Sequence, residues 1–465
     1  MSIRPYLYIL IIGVSLISCK KFIEVGVPKT QLVTASVFKN DATAKSAMDG
    51  IYSLMMSNSS FASANVTVYS GLSADEFDNY STTQSYIELY SNSITVTNGN
   101  ILSLWTDAYK YIYDANSVLE GLKDNQNVSS SMKQELEGEA KFIRAFCYFY
   151  LTNLYGDIPL VLTTDYRISS VLSRTSQDSV YNQIISDLTS AQSELLADYS
   201  FSNGERTRPN KYAATALLAR VYLFAKQWAN AEEAATELIN DVSVYRLENN
   251  LDSVFLKNSH EAIFQLAPVR PNENTREEIV LAILIKPGTV ALTSNLVNSF
   301  EGNDKRRQSW IDSISSSGME YYFPYKYKIF KTGQPVTEYY MMLRLAEQYL
   351  IRAEANAEQN KLSDIDGAVA DLNIIRHRAG LPDYNGAGDQ QSVLTAILNE
   401  RKHEFFAEWG HRWLDLKRTN TANTILSYKP DWQSSDALYP IPQSEILNDG
   451  NLSQNPGYNG NSQTK

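Results

Sequence analysis

Apolar residues recur along this chain mostly at the three- and four-residue intervals of helices with one buried face. Between Ser131 and Tyr155 the stripe Leu136, Ala140, Ile143, Cys147, Tyr150, Leu154 alternates steps of four and three, and Phe142, Phe146 and Phe149 widen it. A helix apolar over so much of its circumference has to lie between neighbours. Ser131 and Gln134 have the spacing of a capping box at its start, and Gly156 and Pro159 mark its end. The same reading predicts helices over 175–197, 210–224, 228–240, 337–359, 363–378 and 394–416. From Asp241 to Pro335 periodicity is short or absent and Pro, Gly, Asn and Ser accumulate, which predicts loops with short strands. The longest apolar run in that stretch, Ile279 to Ile285, suits a buried strand.

Small residues sharpen this into an architecture. Leu218, Ala219, Tyr222 and Ala231 fall at the small and aromatic positions of a tetratricopeptide unit, a helix pair packed through close-approach alanines. The helices over 337–359 and 363–378 form a second such pair around Ala353 and Ala368, closed by Gly380 and Pro382. The expected fold is therefore mostly α, a tetratricopeptide-like helix-pair scaffold carrying a loop-rich insertion with short strands. Its regions are 35–240, the insertion at 241–335, and 336–465. Binding specificity is usually placed in loops carried on a rigid scaffold of this kind.

The N-terminus is of another sort. Arg4 precedes an apolar run from Leu7 to Ile17, too short to span a bilayer as a helix, which reads as a signal peptide over 1–18. It ends in Leu16-Ile17-Ser18-Cys19, which resembles the lipobox of bacterial lipoproteins and implies that Cys19 carries lipid. The stretch 19–34 then reads as a tether, and lipid is the expected means of membrane attachment. Cys147, left without a partner, reads as a core residue. A net charge of −11 argues against nucleic acid or an anionic membrane surface as a partner.

In the last predicted helix one face runs Leu394, Leu398, Arg401, Phe405, Trp409, Arg412, Leu416, so two arginines need partners within an apolar stripe. Glu404 and Glu408 are at the spacing to supply them, and Gly410 predicts a kink or a close backbone contact. Glu400-Arg401, Glu404, Glu408 and Gly410-His411-Arg412-Trp413-Leu414-Asp415-Leu416-Lys417-Arg418 resemble the signature of the SusD/RagB family. The segment Lys141-Phe142-Ile143-Arg144-Ala145-Phe146, leading into Asn153-Leu154-Tyr155-Gly156-Asp157-Ile158-Pro159-Leu160, is similar to that family's helix end. Tyr439-Pro440-Ile441-Pro442-Gln443-Ser444-Glu445-Ile446 and Gln454-Asn455-Pro456-Gly457-Tyr458 resemble its C-terminal tail. The resemblance implies an outer-membrane lipoprotein of Bacteroidetes on the cell surface, a lid over a SusC-like TonB-dependent transporter that captures glycans or, in some members, peptides. It also leaves open a scaffold that binds no small ligand. The signature residues are expected to be structural. Lys20 and Lys21 stand where surface-displayed members often carry acids, which leaves open the side of the membrane that the protein faces.

The chain lacks the local motifs of an enzyme. His403-Glu404 begins like a zincin helix, but Ala407 stands where the second histidine is required. Asp364, Asp366 and Gly367 do not complete a calcium loop, and Ser363 suits a capping box there. Neither a G-x-S-x-G elbow nor a P-loop occurs. No cofactor is implied and catalysis is not expected, although distant carboxylate pairs have no sequence signature. Sugar binding asks instead for flat aromatic faces ringed by amides and carboxylates. Asp75 to Trp105, which shows no helical stripe, offers Asp75, Asp78, Asn79, Tyr80, Tyr86, Tyr90 and Asn100, and its position corresponds to a segment lining the ligand site in the proteins it resembles. A second stretch offers Trp310, Tyr321 and Tyr322. With 30 tyrosines in the chain, most must simply pack. Tyr325 and Tyr327 alternating with Lys326 and Lys328 read as a strand with one buried face, and both lysines are left out of the site.

Overall fold

The computed structural model describes residues 37–57 and 60–458; the expected signal peptide over 1–18, Cys19 and the expected tether over 19–34 lie outside these. Helix α1 (Asp41–Met55) is capped by Asn40, and a π-helical turn over Phe61–Asn65 leads into α2 (Val66–Ser73). Strand β1 (Phe77–Asn79) and helix α3 (Gln84–Ser91) follow. Next come α4 (Gly99–Leu122), α5 (Ser130–Tyr155), α6 (Gln177–Glu194), α7 (Lys211–Phe224) and α8 (Trp228–Asn240). Each packs on the next in an antiparallel array. The array resumes with α9 (Leu345–Glu358), α10 (Ala368–Arg378) and α11 (Gln390–Glu404), and α8 packs directly against α9 although a hundred residues separate them. The insertion is thus looped out of a continuous helical stack.

The expected faces are buried. Leu136, Ala140, Ile143, Cys147, Tyr150 and Leu154 of α5 are all inside; Ala219 of α7 and Ala231 of α8 are buried too, and these two helices pack on each other. Each large apolar side chain removed from water contributes about 1.5–3 kcal/mol, so α5 alone commits its neighbours to their positions. Among the described residues no helix is long and apolar enough to cross a membrane.

Several local expectations fail for physical reasons. The capping box at Ser131 and Gln134 does not form: α5 starts one residue earlier, Ser129 bonds Asp41 of α1, and Gln134 reaches the Glu194 carbonyl. Residues 340–344 form β6 (Tyr340–Arg344) instead of helix because the core-facing β2 (Ala262–Leu266) supplies a strand partner. Ser363 makes a turn with the Ile365 N–H, and α10 begins at Ala368. Instead of a strand over Ile279–Ile285, a short helix Arg276–Leu281 forms under a Thr275 cap, and Leu284 and Ile285 are exposed. Lys326 is buried with Tyr327, so the expected strand with lysines outward is absent beyond Pro324.

The largest departure is in the signature segment. The predicted single helix breaks after Glu404 and resumes as α12 (His411–Arg418), through positive φ at Ala407, Trp409 and Gly410. A Cβ on Gly410 would meet the Ser70 side chain at 2.7 Å, so the expected close approach is real. The local ion pairs do not form. Arg401 binds Asp415, and Arg412 binds Asp75. Glu404 is instead gripped by Arg306, Arg344 and Arg378, while Glu408 takes Arg344 and Lys326. Glu261 and Glu400 complete the cluster. Burial alone would raise the pKa of Glu404; the three guanidinium groups outweigh it and hold it well below the carboxylate range. Glu404→Gln is expected to destabilise the fold by about 3–5 kcal/mol in urea denaturation, because it leaves buried arginines uncompensated.

Candidate functional site: an outward sheet face

A four-stranded antiparallel sheet brings the two polar-aromatic stretches together. Its order is β1–β3–β5–β4, with β3 (Val290–Leu292), β4 (Ile311–Ser316) and β5 (Met319–Pro324) all from the insertion. Phe77 pairs with Leu292, Leu292 with Tyr322 and Tyr322 with Ser313, which puts these residues on the core side. Asp78 pairs with Ala291 and Ile314 with Tyr321, on the opposite side. There Ile283, Ala291, Tyr321 and Phe323 are buried in a small separate cluster, so Tyr321, expected as a ligand contact, is largely packed away. The Thr289 carbonyl accepts the Tyr80 N–H at 2.8 Å, which stretches β1 by a residue and turns Tyr80 outward with Asp78.

On that outward side Tyr80 is 42% exposed and meets Tyr321 edge-on, with ring centres 5.4 Å apart. Tyr90 of α3 donates its hydroxyl to Asp78 Oδ1 at 3.3 Å. Lys429 lies below the Tyr90 ring at 5.3 Å, and its ammonium donates to the Leu72 and Ser73 carbonyls. Burial pulls its pKa down to about 7. Tyr428, 56% exposed, extends the row; partial burial and the carboxylates of Asp75 and Asp78 push its hydroxyl up to about 12. Burial also raises the pKa of Asp78, against the Tyr90 bond and Lys429. The result is a row of exposed or part-exposed rings, Tyr428, Tyr90 and Tyr80, around the Asp78 carboxylate, with the buried Tyr321 packed edge-on against Tyr80. A cavity of about 390 Å³ lies elsewhere, between α1 and α4.

Other expected residues are placed differently. Trp310 is fully buried, edge-on to Phe255, and its indole N–H donates to the Leu251 carbonyl at 3.0 Å, so it is core and not a ligand contact. Tyr322 faces the core side under the Arg307 guanidinium, 5.1 Å away. Asp75 is locked in two bonds to Arg412, at 2.7 and 2.8 Å. Asn79 closes a turn on Ser81, and Tyr86 packs edge-on against Tyr69. Asn100 lies in the first turn of α4 beside its Asn98 cap, with its amide nitrogen buried and unpartnered among the described residues. The stretch 75–105 is also more helical than its pattern suggests, since α3 and the start of α4 lie within it. Tyr428 was missed, although the criterion that marked Tyr80, an aromatic among polar residues outside any helical stripe, applies equally to Ser427-Tyr428-Lys429-Pro430.

Asp75 and Glu76 are adjacent carboxylates whose surroundings separate them. Burial would raise Asp75, but Arg412 prevails and lowers it; burial and then Asp75 itself push Glu76 up to about 8, despite the bond it accepts from the Ala407 N–H. Neither offers a free oxygen to the outer face, so this pair anchors β1 to the turn after α11.

A model of the SusD family matches residues 188–458, and one described as starch-binding, associating with the outer membrane, matches residues 21–223. The chain belongs to the SusD family. It is 28% identical to SusD-like protein P2 of Formosa agariphila over 97% of this chain and 98% of that one. It is 23% identical to starch-binding protein SusD of Bacteroides thetaiotaomicron, over 74% and 77% of the two chains. Among solved structures, a laminarin binding SusD-like protein superposes with a TM-score of 0.77 at 25% identity, covering 90% of this chain and 100% of the other. Surface glycan-binding protein A from Bacteroides uniformis does so with a TM-score of 0.77 at 21% identity, covering 89% and 99%. This SusD-family chain therefore shares the helical fold of its neighbours, and its family is one of starch and glycan binders associated with the outer membrane.

The opposed shifts at 75 and 76 give a pH test. Glu76, raised in the fold from 4.5 to about 8, contributes stability that is complete below pH 4.5 and lost as pH rises through 8. Asp75, lowered in the fold, contributes stability that is lost only as pH falls below the carboxylate range. Thermal unfolding at pH 5, 6.5 and 8 is expected to show Glu76→Gln gaining on the natural protein as pH rises.

Proposed function

We propose that this protein is a non-catalytic, lipid-anchored receptor that captures glycan on the outward sheet face and passes it to a SusC-like TonB-dependent transporter. The observation that carries this reading is the row Tyr428, Tyr90 and Tyr80 around the Asp78 carboxylate, with the buried Tyr321 ring holding Tyr80 in place. Aromatic faces supply apolar contact to the C–H side of a pyranose, and the carboxylate and phenol hydroxyls supply hydrogen-bonding partners for its hydroxyls. An open face suits a polymer, which a closed pocket of small-molecule type would exclude. The named ligands of similar proteins, laminarin and starch, are glycans of this kind. Anchoring through Cys19 would hold the face near a transporter, and the helical stack supplies a stiff mount for it.

Binding to a panel of polysaccharides, measured by affinity electrophoresis with a peptide library as the comparison, tests the reading. Tyr80→Ala and Tyr428→Ala are each expected to weaken glycan binding about tenfold, near 1.4 kcal/mol, with the unfolding midpoint unchanged. Release of reducing ends from the bound polymer would contradict the non-catalytic part. Binding of peptides with no glycan bound would overturn the ligand class.

A further inference from the structure

The register of the outer sheet sorts its charged groups by face. Arg307 sits over Tyr322 on the core side, away from Tyr80 and Tyr321. The cations nearer the outward face are committed elsewhere. Arg412 is held by both oxygens of Asp75, and Lys429 gives its protons to two backbone carbonyls beneath Tyr90. Lys402 is partly buried beside Asp75 and Arg412, on the anchoring side of β1. Asp78 differs: only its Oδ1 is bonded among the described residues, by Tyr90, and the group is part-exposed beside the exposed Tyr80 ring. Asp312 on β4 pairs with Phe323, so it lies on the same outward side and is exposed. The reachable charge at the centre of the aromatic row is therefore negative.

Resting on the glycan-capture reading, we infer that Asp78 makes this site selective for uncharged glycans. A carboxylate with a free oxygen beside a stacking ring accepts hydrogen bonds from hydroxyls of a neutral sugar, a charge-assisted arrangement stronger than one between neutral groups. The same carboxylate repels a uronate or a sulfate ester brought onto the ring, since like charges at contact across a partly desolvated surface disfavour association. Lys286, in the loop that ends at Thr289, is exposed and is the cation in that loop that could oppose this effect.

The test is affinity electrophoresis of the mature protein in gels of laminarin and starch, and of alginate, polygalacturonate and carrageenan. The natural protein is expected to bind a neutral polymer at least tenfold more tightly than any anionic one. Asp78→Asn is expected to weaken the neutral polymer about tenfold and narrow that gap, Asp78→Glu to recover part of it, and Lys286→Gln to leave the preference in place. Each variant is checked for an unchanged unfolding midpoint. An anionic polymer bound as tightly as the neutral one overturns the inference. So does Asp78→Asn with full neutral affinity when Tyr80→Ala has lost it, an outcome that leaves glycan capture standing. Failure of the natural protein to bind any of these or other glycans overturns both.

Discussion

Charge buried without water must be matched by charge, and the cluster around Glu404 is where this requirement shapes the molecule. Glu404 draws Arg306 from the insertion, Arg344 from the end of β6 and Arg378 from the end of α10 to one point. Such clusters add little net stability over an apolar core, but they penalise any arrangement that separates their members. Here the effect is to fix the looped-out insertion against the helical stack at a defined position. The consequences run outward. Because α11 ends at Glu404, the turn that follows presents the Ala407 N–H to Glu76 and the Trp409 N–H to Thr67, and α12 presents Arg412 to Asp75. These contacts seat β1, and β1 is the strand from which Asp78 and Tyr80 face outward.

How much of this was legible in the sequence follows from how local each cause is. Helices α5, α7 and α8 could be read to within a few residues because their periodicity is intrinsic to the segment. The breaks could not. The stripe from Leu394 to Leu416 is continuous on paper, and only the distant partners of Glu404 and the Ser70 contact of Gly410 make three residues adopt positive φ. The need of Arg401 and Arg412 for partners was visible, yet the choice of Asp415 and Asp75 over nearby glutamates is a tertiary matter. Likewise Tyr340–Arg344 became a strand because Ala262–Leu266 lies beside it, an adjacency that no window of sequence contains.

The same distinction applies to the site. Composition marked two polar-aromatic stretches more than 200 residues apart, and the structure joins them in one sheet through Val290–Leu292, a strand that composition did not single out. Within those stretches, composition could not tell Tyr80 from Trp310, since both are aromatics in polar surroundings. The register of β5 separates Tyr321 from Tyr322 by the strand's alternation alone. Asp75 looked like a hydroxyl acceptor, and Arg412, 337 residues away in sequence, makes it a structural anion. What remains on the outward face is small and specific: rings that can stack, the free carboxylate oxygen of Asp78 among them, and a rigid stack of helices behind.

The proposed seat of the glycan is the outward face of this sheet and no other part of the molecule. The most direct measurement is a crystal structure of the mature protein with a neutral oligosaccharide drawn from whichever polymer it binds. A sugar ring is expected against Tyr80, with a hydroxyl within hydrogen-bond distance of Asp78. An oligosaccharide seated elsewhere, as in the cavity between α1 and α4, with the Tyr80 face empty, would contradict it.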